Sequence, residues 1–197
     1  MEKDEMNEPF TILLIGGSAG SIDVLMKTFP HIQPSAQLAI VLVIHRKNSG
    51  DSILIDLLSA RTDFIVKEAE EKETITGGTI YIAPPDYHLL FEKDFTFSLD
   101  VSEKVNFSRP SIDVTFASAA NVFENNTAAL LLSGANADGV NGLYIIKEKK
   151  GIAAVQDYKT AEVPYMPQQA MERLQSLLVL SVEQIPGFIN SLAAGIK

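Results

Sequence analysis

The chain has 197 residues, 46% of them hydrophobic and 21% charged, which excludes disordered and collagen-like architectures and suits a domain with one buried core. It contains no cysteine, so disulfide frameworks, thiolate metal sites and cysteine nucleophiles are excluded, and a reducing cytoplasm is the expected compartment. A formal net charge of −9, with no lysine or arginine cluster, argues against nucleic acid or an anionic membrane as partner.

Met1–Pro9 reads as an acidic tail, with three glutamates and an aspartate where a signal peptide would be basic and then apolar. No apolar run approaches the length of a membrane span. Residues 10–197 are expected to form a single domain, because no internal repeat, low-complexity stretch or linker divides them.

From residue 10, short β-branched runs alternate with amphipathic stretches, the pattern of βαβ units and an α/β fold with a doubly wound, mostly parallel sheet flanked by helices. Thr11–Ile15 predicts a buried strand and Gly16–Gly20 a tight turn. Ser21–Phe29 predicts a helix, with Ile22, Leu25, Met26 and Phe29 at helical spacing. Leu38–Ile44 is apolar throughout, so it belongs inside the sheet, and Asp51–Arg61 follows as a helix.

Between Ile65 and Val101, four short runs (Ile65–Glu68, Thr79–Ile82, Tyr87–Phe91, Thr96–Leu99) separated by turn residues predict an antiparallel extension or hairpin. Parallel winding is then expected to resume. Ser111–Phe123, Val140–Lys149, Glu162–Gln175 and Ser181–Ala194 read as helical, around strands at Ala128–Leu132 and Ile152–Val155 and an apolar segment at Leu177–Leu180.

In an open α/β sheet the reacting groups collect beyond the carboxyl ends of the strands. Three such turns carry suitable side chains: Ser18 after the first strand, His45 after the second, and Asp138 in the loop after Ala128–Leu132. Ser18 lies in Gly16-Gly17-Ser18-Ala19-Gly20, which satisfies G-x-S-x-G in a strand-turn-helix setting; a phosphate-cradling turn is the alternative. The spacings G-x-G-x-x-G and G-x-x-x-x-G-K-[ST] are both absent, which weakens that alternative.

His45 follows seven apolar residues and suits a general base at the rim, or else a polar cap on the strand end. Asp138 suits the carboxylate that fixes an imidazole tautomer, or an N-cap for the helix that follows. The order Ser, His, Asp differs from that of α/β-hydrolases. With three scattered histidines and no H-E-x-x-H, no metal-ligand spacing is present, and no cofactor is expected.

Several separated segments, in register from about Phe10 to Ala194, together resemble the catalytic domain of CheB-type chemotaxis protein-glutamate methylesterases. They are Ile15-Gly16-Gly17-Ser18-Ala19-Gly20, His45 after its strand, Lys67-Glu68-Ala69-Glu70, Tyr81-Ile82-Ala83-Pro84-Pro85-Asp86-Tyr87-His88, Arg109-Pro110-Ser111-Ile112-Asp113-Val114, and Ser133-Gly134 through Asp138-Gly139. The resemblance implies hydrolysis of glutamate methyl esters on the cytoplasmic helices of chemoreceptors, and often glutamine deamidation. It implies Ser18 as nucleophile, His45 as general base and Asp138 as its orienter.

Accessory roles follow for His88, as a loop anchor, and for Arg109, as a substrate-carboxylate ligand or a cap for the Ser111 helix. Asp113 is expected to act as a charge at a helix N-terminus. The backbone at Ala19 and Ala135 falls where the family forms its oxyanion pocket. The chain departs from the family's Ser-Thr-Gly-Gly at Ser18-Ala19-Gly20-Ser21, and from T-G-M-G-N-D-G at Ala135, Asn136 and Ala137. The family's receiver domain is not expected in this chain, since only the acidic tail precedes the first strand. A binding module that keeps the fold without turnover, or a nucleotide-binding protein using the Gly16–Gly20 turn, are the competing readings.

Overall fold

Alternate residues of Thr11–Gly17 (β1) point to opposite faces of the sheet, and both faces are covered. Ile12 and Leu14 pack on one side and Leu13 and Ile15 on the other, all fully buried. The computed structural model describes residues 10–46 and 52–194; the expectations for the Met1–Pro9 tail and the start of the Asp51–Arg61 helix lie outside these. Six further strands join β1 in a parallel sheet: Leu38–Ile44 (β2), Ile65–Glu68 (β3), Thr79–Ile82 (β4), Thr127–Leu131 (β7), Ile152–Gln156 (β8) and Leu178–Leu180 (β9). Their order is β3-β4-β2-β1-β7-β8-β9.

Two of the four short runs expected to be antiparallel therefore belong to the parallel sheet. β3 pairs with β4 and β4 with β2, all in the same direction. Ile80, Tyr81 and Ile82 are buried on both faces, a pattern that four residues are too few to reveal as periodicity. Only His88–Phe91 (β5) and Phe97–Asp100 (β6) form an antiparallel hairpin.

One face of the sheet is covered by Ile112–Phe123 (α3), Val140–Glu148 (α4), Tyr165–Arg173 (α5) and the β5–β6 hairpin, through Phe116, Leu143, Met166 and Phe97. Ser21–Thr28 (α1), Ser52–Ser59 (α2) and Ile185–Leu192 (α6) cover the other, through Leu25, Leu58 and Ile189. Each such side chain contributes about 1.5–3 kcal/mol by leaving water. Tyr81, Phe97, Phe91 and Phe123 add a chain of edge-on and tilted ring contacts beneath the hairpin.

From β1 the sheet grows in both directions, toward β2 on one side and β7 on the other. The carboxyl ends of these three strands thus meet where the winding reverses, the position at which an α/β sheet leaves a crevice.

Candidate active site

Register places Ser18 and His45 side by side. Gly17 pairs with Ile44 at the last rung between β1 and β2, and the His45 amide donates to the Gly17 carbonyl at 3.0 Å. The Ser18 amide donates to the Ser133 carbonyl at 2.9 Å, so this residue sits between the ends of β2 and β7. His45 Nε2 lies 2.8 Å from Asp138 Oδ2, with the histidine side chain 12% exposed and the aspartate fully buried. A carboxylate only accepts, so Nε2 carries the proton and the other ring nitrogen, Nδ1, offers a lone pair.

Asp138 is not the N-cap of the helix that follows it. The N-cap of α4 is Gly139, which has no side chain to cap with, while Asp138 reaches across to the start of α3. Its Oδ2 accepts from the Ile112 amide at 2.7 Å in addition to His45. Its Oδ1 accepts from the Asp113 amide at 3.0 Å, the Ser111 hydroxyl at 2.9 Å and Asn106 Nδ2 at 3.2 Å.

Asp113 returns the exchange. Its Oδ1 accepts from the amides of Gly139 and Gly142, at 2.9 and 2.7 Å, in the first turn of α4. Each helix start is thus capped by the aspartate belonging to the other, and Asn106 Nδ2 bridges the two carboxylates, 2.9 Å from Asp113 Oδ2.

This arrangement separates two neighbouring carboxyl groups. Burial acts to raise the Asp138 pKa, but the hydrogen bonds from His45, the Asp113 and Ile112 amides and Asn106 outweigh it and hold the group below its ordinary value. For Asp113, burial dominates and the adjacent Asp138 charge adds to it, so its pKa is raised despite its own amide donors.

On the serine side, the peptide planes are tied from behind. The Ser18 carbonyl accepts from the Ser21 amide at 3.1 Å and from the Ser21 hydroxyl at 2.6 Å. In a trans peptide the following N–H points the opposite way, so the Ala19 amide is turned away from α1. In the same manner the Gly134 carbonyl accepts from the Met166 amide at 2.9 Å, which turns the Ala135 amide away from α5. Among the described residues neither amide has a protein acceptor, and both alanines are exposed. Buried Ser133 joins the two loops, its hydroxyl donating to the Ala19 carbonyl at 2.7 Å and accepting from the Val163 amide at 2.9 Å.

Two glycines are needed here. Gly20 has φ of +81° at the start of α1, and a Cβ at Gly134 would stand 3.1 Å from Ser18 Cβ and 2.5 Å from Met166 Cε. His88 is an anchor: buried, its Nδ1 accepts from the Ser111 amide at 3.1 Å and its Nε2 donates to the Glu103 carbonyl at 2.9 Å. Arg109 caps no helix; its guanidinium donates to the Val101 and Ser102 carbonyls at 2.8 and 2.7 Å, stapling the connection between β6 and α3. Among the described residues no group of three or more His, Asp or Glu side chains is placed to hold a metal ion.

Asn106, Ser111, Ser133, Ser21 and Gly134 were not singled out by sequence reasoning as parts of the site. The Ser111 signal was readable, a serine opening a helical pattern before Ile112. Ser21 acts locally, on the Ser18 carbonyl three residues back, while Asn106, Ser133 and Gly134 act through tertiary neighbours and leave no local pattern.

A parallel sheet whose switch point carries a serine, a histidine and a buried aspartate defines an α/β domain with the residue set of a serine hydrolase. A model of the CheB methylesterase family matches residues 13–189, and the chain belongs to that family. It is 45% identical over 176 residues to a Leptospira interrogans protein provisionally named protein-glutamate methylesterase/protein-glutamine glutaminase, covering 89% of this chain and 91% of that one. A Thermotoga maritima protein-glutamate methylesterase/protein-glutamine glutaminase is 33% identical over 178 residues, 89% of this chain and 52% of the relative. The crystal structure of the Thermotoga maritima CheB methylesterase catalytic domain superposes with a TM-score of 0.87 at 32% identity, over 93% of this chain and 98% of that one.

Proposed function

We propose that this chain hydrolyses methyl esters of glutamate side chains on chemoreceptor cytoplasmic helices, and deamidates receptor glutamines by the same route, with Ser18, His45 and Asp138 as the reacting set. The observation that carries the reading is the 2.8 Å bond between His45 Nε2 and the buried Asp138, at the strand end beside Ser18. The names of the family's relatives supply the ester and amide chemistry.

His45 Nδ1 removes the proton from Ser18 Oγ as the oxygen attacks the ester carbonyl, and Asp138 stabilises the imidazolium that forms. The tetrahedral oxyanion is met by the Ala19 and Ala135 amides, whose donors do not depend on the side chains that differ from the family pattern. The imidazolium protonates the departing methoxide, methanol leaves, and an acyl-serine remains. Water, deprotonated at Nδ1, then releases the glutamate. For a glutamine side chain the leaving group is ammonia.

No helix among the described residues is long and apolar enough to cross a membrane; action on the cytoplasmic part of a receptor, in the cytoplasm, is part of this proposal. Methanol release from a methylated receptor cytoplasmic fragment tests it. Turnover by the wild-type chain that disappears in Ser18→Ala supports the reading. Binding of the fragment without turnover would instead make the chain a binding module.

A further inference from the structure

Beside His45 opens a cleft of about 430 Å³, walled by Arg46, Asp86, Lys104, Phe107 and Arg109. Phe107 is 98% exposed, the most exposed large apolar side chain described. Its position is held on purpose-built backbone. The Val105 and Ser108 amides each donate to the other's carbonyl, at 3.1 and 2.9 Å, closing a two-residue hairpin whose central Asn106 and Phe107 have φ of +50° and +62°.

Positive φ at both central positions is the type I′ turn, which favours asparagine first and glycine second. Asn106 fits that rule; a phenylalanine in the second place is strained. Nothing in the fold is returned for it, since its ring touches almost no protein surface. The strained turn is fixed relative to the reacting groups, because Asn106 Nδ2 is bonded to both Asp138 and Asp113.

We infer that Phe107 is the substrate-docking contact, gripping an apolar side chain on an acidic amphipathic helix one turn from the glutamate that reacts; this rests on the esterase reading above. Charge identifies the occupant. On a chain of net charge −9, Lys104 and Arg109 line this one cleft opposite Asp86, and Arg46 beside them is paired with Glu68 at 3.3 Å. Arg109 is held by two neutral carbonyls, with the Asp100 carboxylate near enough to feel its charge. An acidic helix with an apolar stripe fits both the Lys104 and Arg109 charges and the ring, since residues three or four apart on such a helix share one face.

The test is steady-state methanol release from a soluble, methylated chemoreceptor cytoplasmic fragment. Phe107→Gly installs the favoured Asn-Gly pair, so it is expected to melt no lower than wild type, which removes misfolding as an explanation. It is expected to raise KM about tenfold with kcat within about twofold, the loss corresponding to one apolar side chain no longer buried. Phe107→Leu is expected to recover most of the affinity. An unchanged KM in Phe107→Gly, beside an active wild type, would overturn the docking role alone. No methanol from the wild type would overturn the esterase reading, and the docking role with it.

Discussion

The two halves of the site are built in opposite ways. On the histidine side, Asp138 receives five donors on two oxygens, and Asp113, Asn106, Ser111 and His88 form a continuous bonded network around it. On the serine side the hydrogen bonds hold the peptide planes from behind and leave the Ala19 and Ala135 amides facing outward, without acceptors among the described residues. The difference teaches where rigidity is placed. On the proposed mechanism, groups that must not move are saturated within the protein, and groups that would meet substrate are oriented but left unsatisfied.

Substitutions on the two sides should therefore fail differently. Ser18→Ala removes the proposed nucleophile and is expected to lower ester turnover by about 10⁴-fold or more, with a thermal midpoint close to wild type. Asp138→Asn is expected to lower kcat by about 10³–10⁴-fold and, unlike Ser18→Ala, to cost stability as well. Both Asp138 oxygens already accept a backbone amide, so the new NH₂ must face a donor, a buried mismatch of about 1–3 kcal/mol readable in denaturant titration. Equal midpoints for the two variants would break the contrast.

Gly134→Ala probes the serine side from behind. Met166 has a flexible end that can give way, whereas the new methyl still presses on Ser18 Cβ, so turnover should fall about tenfold with little loss of stability. His88→Phe leaves the Ser111 amide buried without its acceptor. Its expected cost is about 1–3 kcal/mol, measured by denaturant titration.

The smallest effect is in the pH dependence of stability. Asp138, whose pKa is depressed, contributes stability that is present above the ordinary carboxylate pKa of about 4 and is lost as pH falls through its lowered value. Asp113, raised, works the other way: its contribution is complete below the ordinary value and is lost as pH rises through its elevated one. Asp113→Asn should thus enlarge the gain in stability on raising the pH just above about 4, and Asp138→Asn should flatten the loss on acidification.

The end of β2 was legible because its apolar run stops abruptly at His45, whereas β1 continues past the expected Ile15 through Gly16 and Gly17, which pair within the sheet before the turn at Ser18. The antiparallel reading of Ile65–Glu68 and Thr79–Ile82 failed because short strands carry no direction; pairing with β2 decides it. Sequence position suggests Asp138 as a cap for the helix that follows it; it does not show that Asp138 instead caps α3 while Asp113 caps α4, since that depends on two helix starts meeting in space. Nor could a turn sequence show that Asn106 spans two carboxylates.

The most direct test is labelling of the native protein by a serine-directed fluorophosphonate, with the modified peptide mapped and His45→Ala and Asp138→Asn in parallel. The account predicts a single adduct on Ser18, formed at least about 10²-fold more slowly in both variants. Labelling of Ser18 at an undiminished rate in His45→Ala, or an adduct on another serine, would contradict it.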